Sequence, residues 1–144
     1  MKVLIGVDDS AFSRAAIEYV KQATWPVGSS FLVVSASAPV FVGPGEAAAP
    51  GAIAELIQQQ EKFHRELADK AVAELKKAGL DAKAKMVPSD PRGALVDTAK
   101  SLPADLVVVG SHGRSGLTKL LLGSVATHVV THAPCNVLVV KSPS

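Results

Sequence analysis

Short apolar runs alternate with longer amphipathic segments along almost the whole chain. Val3 to Val7 is continuous and apolar and stops at Asp8 and Asp9, as a strand buried on both faces does. Ser10 suits a helix N-cap, and Phe12, Ala15, Ala16, Tyr19 and Ala23 follow at helical spacing until Pro26-Val27-Gly28 breaks the pattern. Phe31 to Val34 reads as a second strand, and a loop rich in proline, glycine and alanine occupies about residues 38–51. Ile53, Leu56, Ile57, Gln60, Phe63, Leu67, Ala71 and Leu75 then share one helical stripe, with Gly79 placed to end that helix.

The alternation continues through the second half. Ala82 to Val87 is a third strand, and Ser89 or Asp90 can cap a helix that has Pro91 in its first turn and Ala94, Leu95, Thr98, Ala99 and Leu102 on its apolar face. Leu106 to Val109 is a fourth strand, apolar throughout. A polar, glycine-rich turn covers Gly110 to Lys119; Val125, Ala126, Val129, Val130 and Ala133 mark a last helix, and Val137 to Val140 a last strand. Continuous apolar strands alternating with amphipathic helices imply an α/β domain, a mostly parallel sheet covered on both faces. Five strands in this order favour a doubly wound sheet, whose ligand crevice lies at the strand C-termini.

Composition narrows the picture. A chain of 144 residues is long enough for one domain, 1–144, and too short for two ordinary ones. With 48% hydrophobic and 19% charged residues it can bury a sizeable core. The net charge of +2 is scattered and aromatics make up 4%, so a nucleic-acid partner is not expected. The single Cys135 leaves no intramolecular disulfide and no thiolate-rich metal site. No apolar stretch approaches the ~20 residues of a membrane span, and the N-terminal run is too short for a signal peptide. A soluble, cytoplasmic protein with no membrane partner is the expectation.

The segment Gly110-Ser111-His112-Gly113-Arg114, continuing through Gly123-Ser124, carries the chemistry. It follows a buried strand and opens a helix, which is where main-chain amides and the positive helix end converge on an anion. Glycine at 110, 113 and 123 would let the backbone approach an oxygen with no Cβ in the way. The Ser124 hydroxyl can cap the helix or contact a phosphate or its metal, and Arg114 can add a charge-assisted bond. A strand–turn–helix with several glycines that binds nothing is equally compatible with these features alone. The spacing fits neither the P-loop pattern nor G-x-G-x-x-G.

At this point the chain resembles the universal stress protein family. Gly110-x2-Gly113-x9-Gly123-Ser124 is similar to that family's G-2x-G-9x-G-(S/T) ATP motif, and Val7-Asp8-Asp9-Ser10 resembles its first strand and turn. Ala104 to Gly110, His132-Ala133-Pro134-Cys135 and Val137 to Val140 are similar as well. The resemblance implies a five-stranded sheet of order 3-2-1-4-5, a homodimer through the last strand at about Asn136–Val140, and ATP carried with Mg²⁺ or Mn²⁺. Position by position it implies Gly6, Val7 and Asp8 at the adenosine end and Ala36 beside adenine. It implies Val109 and Gly110 by the ribose and α-phosphate, His112, Gly113 and Arg114 in the turn, and Gly123, Ser124 and Val125 at the outer phosphates. Ala36 is smaller than the branched residue frequent there, and Asn136 stands where a proline is usual.

Other residues read more plainly. Asp8 can bond a nucleotide or, with Ser124, a bound cation, or it can simply hold the local turn. His128 and His132 share a helix face, but Val129 stands where a zinc peptidase needs its base. Cys135 reads as a small buried hydrophobe, His64 as a surface residue among charges, and Trp25 and Tyr19 as packing at the core rim. Three functions stay open: a nucleotide-dependent regulatory or stress-response module, an ATP-hydrolysing or nucleotidyl-transferring enzyme, and a dimeric interaction module whose nucleotide is incidental. Asp8, Ser124 and Arg114 supply no base near a γ-phosphate, so hydrolysis is expected to be weak at most.

Overall fold

The central strand β1, Lys2–Gly6, places three consecutive side chains, Val3, Leu4 and Ile5, wholly out of solvent. A strand can do this only where both faces of its sheet are covered. The computed structural model, which describes residues 1–44, 50–113 and 121–142, shows how. The elements run β1, α1 (Ala11–Gln22), β2 (Ser30–Ala36), α2 (Pro50–Lys77), β3 (Asp81–Val87), α3 (Pro91–Ser101), β4 (Leu106–Gly110), α4 (Ser124–His132) and β5 (Asn136–Val140). All five strands are parallel, in the order β3-β2-β1-β4-β5.

Alternation along the strands sorts the core into two layers. Val3, Ile5, Phe31, Val33 and Val108 point to one face, against Ala16, Ile17 and Val20 of α1 and Ala68, Ala71, Val72 and Leu75 of α2. Leu4, Val34, Val107 and Val109 point to the other, against Leu95, Val96 and Ala99 of α3 and Ala126 and Val129 of α4. The register agrees, since Ile5 lies opposite both Val33 and Val108, and Leu4 opposite Val107. No helix of the described residues is long and apolar enough to cross a membrane.

The helix ends follow local chemistry. Ser10 Oγ accepts the Ser13 amide at 3.1 Å and caps α1. Asp90 caps α3 through the Arg92 amide, with Pro91 in the first turn. The side-chain bond from Arg92 also holds the Asp90 carboxyl below its usual range. At the end of α2, Gly79 takes φ +84° while its amide donates to Lys76 and the Leu80 amide to Leu75, a Schellman closure.

Several expectations are corrected. The loop of residues 38–51 ends earlier, because α2 already begins at Pro50, where a missing N–H costs nothing; residues 45–49 lie outside the described ones. On α1 the buried stripe is Ser13, Ala16, Ile17 and Val20, with Tyr19 exposed and Ala23 the C-cap. On α2 only the second half of the expected stripe is buried, and Leu56, Ile57 and Phe63 remain about two-fifths exposed (43%, 40% and 39%). Val130 of α4 faces outward.

Two glycine substitutions should move stability in opposite directions. Gly79→Ala forces a Cβ into left-handed backbone and should cost about 1 kcal/mol. Gly93→Ala, inside α3 with open space around the new methyl, should gain about 0.5–1 kcal/mol. Urea unfolding midpoints of the two variants check both signs.

Candidate functional site

β1 hands the chain to α1 on one face of the sheet, and β4 hands it to α4 on the other. The connections part above the C-terminal ends of these adjacent strands and leave a cavity of about 1040 Å³ there. Gly6, Val7 and Asp8 line it from β1, Ala36 from β2, Val109, Gly110, His112 and Gly113 from β4 and its turn, and Gly123, Ser124 and Val125 from the start of α4. The expected site residues thus converge on one hollow, with the exception of Arg114, which lies outside the described residues.

The β4–α4 connection is drawn together at its base. The Ser111 amide donates to Val140 O at 2.8 Å and the Gly123 amide to Ser111 O at 2.7 Å. The His112 ring bridges the same gap, with Nε2 on Leu121 O and Nδ1 2.9 Å from Ser111 Oγ. A carbonyl only accepts, so Nε2 donates to Leu121 O, while the Ser111 hydroxyl can donate to or accept from Nδ1. Both ring nitrogens are therefore committed to shaping the turn. Phe12 packs against the same ring, with centroids 4.9 Å apart.

The glycines do different work from that expected. A Cβ on Gly110 would lie 2.8 Å from the Phe12 backbone, and one on Gly123 would lie 3.0 Å from His112 Cα. These two positions are bare because other main chain fills the space. Only at Gly113 does the missing Cβ open towards the cavity, where its nearest neighbour would be Asp8 Oδ2 at 3.2 Å.

Ser124 is corrected as well. It is the first residue of α4, and Gly123 holds the N-cap position with no side-chain bond. The first intrahelical bond is Thr127 N to Gly123 O, so the amides of Ser124, Val125 and Ala126 have no acceptor within the helix. All three residues line the cavity. Asp8 also lines it; its Oδ1 accepts the Ser10 amide at 2.8 Å and its amide donates to Ser13 Oγ at 3.0 Å. The turn-holding role thus occupies one carboxylate oxygen and leaves Oδ2 directed at Gly113.

Sequence reasoning missed the opposite wall. Leu56, Gln59, Gln60, Phe63 and His64 of α2 line the cavity, together with Ala38 to Phe41. His64, expected at the surface among charges, bonds the wholly buried Ser35 through Nδ1 at 2.8 Å. Two signals were available: Ser35 is a hydroxyl at the end of an apolar strand and needs a partner, and His64 precedes Ala68, Ala71, Val72 and Leu75 at helical spacing.

The remaining candidates stand apart. Cys135 is half-buried, and burial pushes its thiol up from the ordinary value. His128 and His132 stack on α4 with ring centroids 4.2 Å apart. No lysine or arginine among the described residues lines the cavity. What gathers there is a set of amide donors at one end and apolar and amide side chains at the other, an arrangement suited to binding an anion with an apolar body.

The division of labour among the glycines is testable. Gly110→Ala should destabilise the fold by about 1–3 kcal/mol through overpacking on Phe12. Gly113→Ala, whose neighbour is a movable carboxylate, should change unfolding by less than about 0.5 kcal/mol. Thermal and urea unfolding of the two variants measures the difference.

Comparison with known proteins agrees with this architecture. The profile of the universal stress protein family matches residues 1–141. Universal stress protein MJ0531 of Methanocaldococcus jannaschii is 32% identical over 146 aligned residues, spanning 99% of this chain and 82% of the relative. The solved structure of hypothetical protein MJ0577 superposes with a TM-score of 0.85 at 24% identity, covering 99% of this chain and 96% of the other. A universal stress protein solved in complex with cAMP superposes with a TM-score of 0.69 at 27% identity, covering 99% and 98%. With its fold and nearly its whole length matched, the chain belongs to the universal stress protein family.

Proposed function

We propose that this protein is a single-domain, ATP-binding regulatory module. The observation that carries this reading is the start of α4, where the Ser124, Val125 and Ala126 amides lack intrahelical acceptors and line a cavity together with Gly113. Such a helix end takes a phosphate chain. The nucleoside then lies across the ends of β1 and β2, between Val7 and Ala36. The cAMP complex of a relative supports an adenine nucleotide.

Charge decides how a triphosphate is held. Asp8 brings a carboxylate to the cavity, and no lysine or arginine of the described residues lines it. A divalent cation arriving with the nucleotide offsets this repulsion. The donors fit one: Asp8 and Ser124 offer hard oxygens suited to Mg²⁺ or Mn²⁺. Asp8 and Ser124 would hold such a cation on the phosphates that bring it, and it would offset their charge beside the carboxylate.

Regulation rather than turnover is the reading we adopt, from the engagement of His112 and Asp8 among the described residues. His112 has both ring nitrogens engaged, and Asp8 spends one oxygen on Ser10. Neither is set up as a base for an attacking water. A homodimer through β5 is part of the proposal. That strand lies at the sheet edge with Val137 to Val140 only half-buried, a surface that a second copy would cover.

Chromatography of nucleotide released by heating the purified protein should recover ATP. Added Mg-ATP at a hundred times its Kd should stabilise the fold by about 2.7 kcal/mol in thermal unfolding. Gly113→Asp, which sets a second carboxylate beside Asp8 Oδ2, should abolish that shift while the apo protein stays folded. Unchanged ATP affinity in this variant would remove the site assignment.

A further inference from the structure

Helix α2 is held along half its length. Its buried residues, Ala68, Ala71, Val72 and Leu75, all lie C-terminal to His64, and no described residue from 51 to 63 is buried. Residues 51–63 therefore run on without core packing, for about 20 Å at 1.5 Å per residue. The overhang is nevertheless a wall of the cavity, through Leu56, Gln59, Gln60 and Phe63. At the point where packing stops, His64 Nδ1 meets the wholly buried Ser35 Oγ at 2.8 Å. Ser35 immediately precedes Ala36, which lines the cavity from the strand side. A hydroxyl can donate to or accept from a ring nitrogen, so the bond suits either state of the imidazole.

Resting on the nucleotide reading above, we infer that the overhang of α2 reads the base, and that the Ser35–His64 bond sets its distance from β2. Carboxamides present a donor and an acceptor in one plane, matching the edge of a heteroaromatic base, and an aromatic ring beside them offers a stacking surface. Gln59, Gln60 and Phe63 supply that combination in the hollow that Ala36 also lines. The α4 amides hold the phosphates whatever the base; the α2 wall selects what is attached to them. His64 is a positioning residue here, acting through the helix that carries the glutamines.

The test separates the two ends of the ligand. Calorimetric titration of the full chain compares Mg-ATP with magnesium tripolyphosphate, which lacks base and sugar. Ser35→Ala and His64→Ala should each weaken ATP at least tenfold and leave tripolyphosphate within twofold. The double variant should be no worse than either single one. His64→Asn, whose amide reaches the Nδ1 position, should recover ATP affinity to within threefold of the parent. Equal weakening of both probes, or ATP binding untouched by either substitution, would overturn the inference while leaving the phosphate site standing. A parent protein that binds tripolyphosphate as tightly as ATP would do the same. A parent that binds neither probe would overturn the nucleotide reading and this inference together.

Discussion

The site depends on one topological constraint. β1 and β4 lie side by side, each buried on both faces, yet the helices that follow them pack on opposite faces. The chain leaves one strand towards the face of α1 and α2 and the other towards the face of α3 and α4, so a gap opens above their C-terminal ends. That gap is a property of strand order, independent of the residues that fill it. What the sequence adds is chemistry at its edges: Asp8 after β1, Gly113 after β4, and an uncapped helix at Ser124.

The turn after β4 shows how packing and binding share a glycine-rich segment. Gly110 and Gly123 keep clear of Phe12 and His112, which lets the Ser111 and His112 contacts draw the ends of the turn together. This closure carries the start of α4 to the cavity. The amides there are free because Gly123 has no side chain with which to cap them, whereas Ser10 and Asp90 cap α1 and α3 from within. A capping side chain in α4 would satisfy the very donors that an anion needs.

The opposite wall follows a different rule. α2 is the longest helix, with 28 residues, and the sheet covers only its second half. Leaving Leu56, Ile57 and Phe63 partly exposed sacrifices burial that a shorter helix would not forgo. The return is a surface over the strand ends, fixed to β2 by a polar contact at the last covered turn.

Much of this was legible in the chain itself. Strand positions, alternating helices, the Ser10 cap, a cap at Ser89 or Asp90 and the Gly79 stop follow from local patterns, because periodicity and backbone chemistry act over a few residues. The motif glycines and Asp8 all line the one cavity described above. Tertiary structure decided the rest. On α1, the stripe through Phe12, Ala15 and Tyr19 and the stripe through Ser13, Ile17 and Val20 have the same spacing, and only the position of the sheet chose between them. His64 looked like a solvent residue because its neighbours in sequence are charged; its partner, Ser35, is brought to it by the packing of α2 on β2. Gly110 and Gly123 carry no mark of which atoms will occupy the space where a Cβ would be. Local preference is written residue by residue, whereas contact between distant residues exists only once the sheet has set the distance between them.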